Sequence, residues 1–122
     1  MLRMARDDFE RVVEEALAGI PEDLASLIEN LAVVVEDEPS DEDIRDAGLD
    51  PEEDTLFGIY QGIALPERGG GSYGGALPDR IVIYRLPLLD YCESRRELLR
   101  EIRATVVHEV GHYFGLDEED LP

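Results

Sequence analysis

Apolar residues recur at helical spacing over residues 7–18, where Phe9, Val12, Val13, Ala16 and Leu17 form one stripe. Asp7 and Glu10 stand three apart, the spacing of a capping box, and Gly19 marks the end of this predicted helix. Pro21 opens a second one, carrying Leu24, Leu27, Ile28 and Leu31. The pattern then changes to a β-branched run, Val33-Val34-Val35, bounded by Glu36-Asp37-Glu38-Pro39. It predicts a buried strand over Leu31–Glu36. Ser40, with Asp43 three residues on, caps a short helix that stops at Gly48. Leu56–Leu65 is apolar and rich in Ile and Tyr, which favours a second strand. Gly58 and Gly62 suit a bulge or a close backbone approach there. Residues 66–79 contain GGGSYGG and read as a flexible hairpin tip or a substrate-covering lid. Arg80–Arg85 is the third predicted strand, and Leu86–Tyr91 an irregular stretch or a single helical turn. Ser94 and Glu97 form another capping box, opening a long helix that runs to about Phe114 and ends at Gly115.

The order αα-β-α-β-β-α lacks the regular alternation of a doubly wound fold. It predicts an α+β domain with a small three- to four-stranded sheet, mixed or antiparallel, flanked by helices. The 122 residues suit one domain, 1–122, with no internal repeat. The longest apolar runs are about five residues, against the ~20 that span a bilayer. The first residues lack a secretory-signal core, so the expected compartment is the cytoplasm.

Charge narrows the expected partners. Thirty acidic residues against eleven Lys and Arg leave a net charge of −19. A field of this sign repels nucleic-acid phosphates and anionic membranes, so neither is an expected partner, and it favours cationic over anionic substrates. The single cysteine, Cys92, excludes an internal disulfide and a cysteine-rich zinc site; it reads as a small buried hydrophobe.

The chemistry concentrates near the end of the long helix. Both histidines of the chain lie in His108-Glu109-Val110-Gly111-His112, the pattern H-E-x-x-H. Four residues apart on a helix, the two imidazoles share a face and suit one Zn²⁺. Glu109, offset by about 100° from His108, suits the general base that takes a proton from water. On a helical wheel Leu99, Ile102, Val106, Val110 and Tyr113 form the core stripe. His108 and His112 fall opposite, beside Glu101, Ala104 and Thr105. Gly115 turns the chain back, and Glu118, ten residues after His108, is the candidate third metal ligand. Asp117, Glu119 and Asp120 compete for that role. Tyr73, Arg80, Tyr84 and Arg85 are candidate oxyanion stabilisers, and Ile81–Tyr84 a candidate edge strand for an extended peptide. GGGSYGG lacks the Gly-Lys-Ser/Thr ending of a phosphate loop.

HEVGHYFGLDEEDL resembles the terminal motif of the small bacterial zincin-like metallopeptidases, or minimal zincins. VVVEDEPS, LFGIYQGIAL and LPDRIVIYRLPL extend the likeness over nearly the whole chain. The resemblance implies a zincin-like fold, a zinc site on the long helix at His108, His112 and Glu118, and Glu109 as catalytic base. It implies hydrolysis of a peptide or protein substrate. Metzincins are also similar, but Met1 and Met4 are the only methionines, so no Met-turn follows the motif, and the third-ligand position is acidic. The alternative function is a non-catalytic zinc-binding module for protein interaction.

Overall fold

The computed structural model describes residues 1–29, 31–61 and 80–113, with side chains except at Leu27, His112 and Tyr113. In chain order the elements are α1 (Arg6–Ala18), α2 (Glu22–Ile28), β1 (Ala32–Glu36), α3 (Asp41–Asp46), β2 (Gly58–Gln61), β3 (Arg80–Tyr84), α4 (Arg85–Tyr91) and α5 (Arg95–Tyr113). This is the α+β arrangement the sequence predicts, with a mixed sheet in the order β1-β3-β2. β1 runs parallel to β3, pairing Val33 with Ile81 and Val35 with Ile83. β2 runs antiparallel to β3, pairing Gly58 with Ile83 and Tyr60 with Ile81.

The candidate edge strand is corrected by this topology. β3 is the central strand, and Ile81, Val82, Ile83 and Tyr84 are all buried. A strand covered on both faces carries a continuous apolar run, and that is what the sequence of β3 is. Alternation turns Ile81 and Ile83 toward α1 and α5, where Phe9, Val12, Ile102, Val106 and Val110 complete the core. Val82 and Tyr84 face the other way. There the Tyr84 hydroxyl donates to Asp43 Oδ2 of α3 at 3.1 Å. Burial first, and then this acidic neighbour, push the Tyr84 pKa far above the ordinary tyrosine value.

Local chemistry sets the element ends, with some departures from expectation. Ser40 caps α3 as predicted, its Oγ accepting from Asp43 N at 3.0 Å, and Gly48 turns the chain with φ +81. α1 has no side-chain cap: Ala5 occupies that position, and Asp7 sits one residue into the helix, where it favours the dipole instead. At the other end Arg103 of α5 reaches across, its Nε donating to Ala16 O at 3.0 Å. Gly19 makes room for that side chain, because a Cβ there would stand 2.5 Å from Arg103 Nη2. α5 opens with Ser94 Oγ accepting from Glu97 N at 3.1 Å, while the Glu97 carboxylate accepts from Glu93 N at 2.7 Å, one residue earlier than a reciprocal box places it.

Leu86–Tyr91 belongs to a full helix, α4, which Pro87 tolerates because it stands in the first turn. Cys92 is buried as expected, and burial pushes its thiol up to about 11, so it stays protonated near neutral pH. The second strand is described only as Gly58–Gln61; the rest of the Leu56–Leu65 expectation beyond Gln61, and the hairpin tip at 66–79, lie outside the described residues. No described helix is long and apolar enough to cross a membrane.

Candidate metal centre and active site

α5 packs on the sheet through a stripe that includes Leu98, Ile102, Val106, Val107 and Val110. Leu98, rather than Leu99, is the fully buried residue of the first turn; Leu99 is half-buried against the same core. His108 lies off this stripe and is exposed, as the wheel predicts. It makes no hydrogen bond to another described residue. His112 follows one turn later on the same helix, about 6 Å further along its axis. Its side chain lies outside the described structure, as do Glu118 and its competitors Asp117, Glu119 and Asp120. Among the described residues no three His, Cys, Asp or Glu side chains converge as a metal site.

Glu109 is positioned differently. It is half-buried, and its Oε1 accepts from Tyr60 N of β2 at 2.9 Å. The strand register explains why that amide is there. Tyr84 N donates to Phe57 O, which makes 57 and 84 a hydrogen-bonded pair. Antiparallel pairing alternates, so Ile59 and Val82 bond to each other, while the amide of Tyr60 points away from β3, off the outer edge of the sheet among the described residues. Glu109 meets it at that edge.

β2 comes this close to α5 because Gly58 has no side chain. A Cβ there would lie 2.7 Å from Thr105 Cγ2 and 2.8 Å from the Val82 carbonyl oxygen. Thr105 stands one helical turn before Glu109, its hydroxyl bonded back to Glu101 O at 2.8 Å and its methyl against the strand. Gly58→Ala is therefore expected to cost about 1–3 kcal/mol in a urea melt, the usual cost of overpacking. Adding Thr105→Ser should recover only part, since the Val82 carbonyl cannot step aside. Full recovery would show that the helix contact alone sets the position of β2.

The residue types fit zinc: His108 presents an imidazole on an exposed helix face, and Glu109, a carboxylate, is tied to a strand. Residues 28–122 match the family model described as zincin-like metallopeptidase. The chain belongs to the zincin-like metallopeptidase family. A solved structure, a conserved hypothetical protein from T. thermophilus, superposes with a TM-score of 0.60 at 24% identity. The match covers 91% of this chain and 94% of that one, and it bears on the fold. No curated protein matches.

Within this zincin-like chain the described candidate oxyanion stabilisers make their hydrogen bonds to groups other than Glu109. Tyr84 is buried against Asp43. Arg85 clamps the N-terminal segment, its Nε 3.0 Å from Asp37 Oδ1 and its Nη1 donating to Met4 O at 2.9 Å. Arg80 donates to Gln61 Oε1 at 2.7 Å across the sheet end. Tyr73 lies outside the described residues. Motif reading missed the Tyr60 amide, a main-chain group that no side-chain pattern announces. Of the two glycines in the predicted strand, Gly58 is where the close approach occurs, and it is a signal the sequence offers.

Proposed function

We propose that this family member is a zinc-dependent peptidase, with His108, His112 and Glu118 holding the metal and Glu109 as general base. When bound, zinc supplies Lewis-acid chemistry, acidifying water and polarising a carbonyl. The chain's own residues do the rest. Tyr60 N holds Oε1 of Glu109, which fixes the carboxylate beside the edge of the sheet and leaves Oε2 to take a proton from water. That proton can then pass to the leaving amine. β2 is the outer strand beside Glu109 among the described residues, but its outward amide at Tyr60 is held by Glu109, so an extended peptide would lie near this strand rather than pair along that amide. The net charge of −19 disfavours nucleic acid and anionic membranes as partners.

The Glu109–Tyr60 hydrogen bond carries this reading, because it holds the acid of the motif in a fixed place at the strand, as a positioned base requires. Metal binding is tested by elemental analysis of wild type, His108→Ala and His112→Ala. One zinc per wild-type chain is expected, and none in either variant. Zinc at a hundred times its Kd should stabilise the wild type by about 2.7 kcal/mol, and chelator should reverse this. Absence of bound zinc in the wild type would overturn the metal assignment. Bound zinc without hydrolysis of any peptide would instead favour the non-catalytic interaction module.

A further inference from the structure

A groove of about 920 Å³ opens at the end of β2 away from Glu109. Phe57, which leads directly into β2, lies in its wall, its ring 5.2 Å from that of Tyr91. Four large hydrophobic side chains are exposed among the described residues: Met1, Leu49, Leu86 and Tyr91. All but Leu49 line this groove. Single exposed hydrophobics are ordinary, but their concentration in one concavity marks an interaction surface.

The rim is acidic. Glu38, Asp41, Asp54 and Asp90 face it, against three cations, Arg3, Arg85 and the Met1 amino group, the last paired with Glu93 at 2.8 Å. Arg85 is engaged with Asp37 and the Met4 carbonyl. A second copy of the chain brings another −19 and is repelled, as is an anionic membrane. What complements an apolar floor with an acidic rim is a cationic, apolar polypeptide.

We propose that this groove docks a polypeptide segment in which Lys or Arg alternates with large apolar residues. Three residues of extended chain separate Phe57 from Tyr60, roughly 10 Å, so a docked segment continues toward the edge where Glu109 stands. Docking itself does not require hydrolysis. Under the peptidase reading the groove selects basic substrates by contacts away from the cleaved bond.

The test is fluorescence anisotropy with labelled peptides of about ten residues, with chelator present so that nothing is cut. The probes alternate Arg with Leu, Glu with Leu, and Arg with Ser. Only the Arg/Leu peptide is expected to bind. Leu86→Asp, Tyr91→Ser and the pair Glu38→Lys with Asp90→Lys should each weaken it by about tenfold or more. These positions are exposed, so the variants should melt with the wild type, and three independent changes keep the test sound if one fails to fold. Equal binding of the Arg/Ser peptide, no effect of the groove variants, or no binding at all would overturn the proposal. A parallel cleavage assay without chelator separates the two readings. Hydrolysis without groove binding removes only the docking site; groove binding without hydrolysis removes only the peptidase.

Discussion

Glu109→Gln is expected to lower peptide turnover by about 10²–10⁴-fold while leaving zinc content and melting temperature close to wild type. The amide oxygen of glutamine still accepts from Tyr60 N, so the strand contact is kept and only the ability to take a proton is lost. Glu109→Ala removes both, and should add a measurable loss of stability to the same loss of turnover. The comparison uses zinc-loaded wild type and both variants on one peptide library. Equal rates in wild type and Glu109→Gln would remove Glu109 from the chemistry. A large drop in zinc content would make it a ligand instead.

Phe9→Ala carries the largest expected effect on folding. Phe9 is fully buried on α1, within the core that α5 and the sheet share. Truncation should cost about 3–5 kcal/mol, through lost burial and the cavity left behind. That is a large part of the roughly 5–15 kcal/mol typical of a domain, and would lower the melting temperature by on the order of 15 °C. A urea melt measures it. A cost below about 1 kcal/mol would show that α1 is peripheral and that α5 is supported by the sheet alone.

Much of this architecture was legible from periodicity. The α1 stripe of Phe9, Val12, Val13 and Ala16 is the buried face, and Ser40 and Gly48 bracket α3 as their chemistry requires. His108 stands off the apolar stripe in the sequence and is exposed in the structure. Other features depended on partners distant in sequence. The centrality of β3 follows from β1 and β2 lying on either side of it; each is a strand by its own residues, but neither run states which strand it pairs with. Asp7 looks like a cap by spacing, yet the helix begins one residue sooner, because Ala5 supplies an extended backbone there and the chain enters from Met4, held by Arg85. Arg85 read as a candidate for chemistry, since a lone arginine after a strand does not reveal that Asp37 waits 48 residues earlier. Glu109 stands out in the sequence by its motif, but the group that holds it is a backbone N–H whose direction depends on strand register.

The hydrogen bond from Arg103 to Ala16 spans 87 residues of chain. It joins the earliest described helix to the last one, and the core follows the same seam. During synthesis α1 leaves the ribosome long before its partner exists, and its apolar stripe must wait for α5. The helix that bears His108 and Glu109 is therefore both the final described element to emerge and the one that completes the interior. Closure of the core is thus a late event, and a translation product interrupted before α5 lacks both that interior and the pair His108 and Glu109.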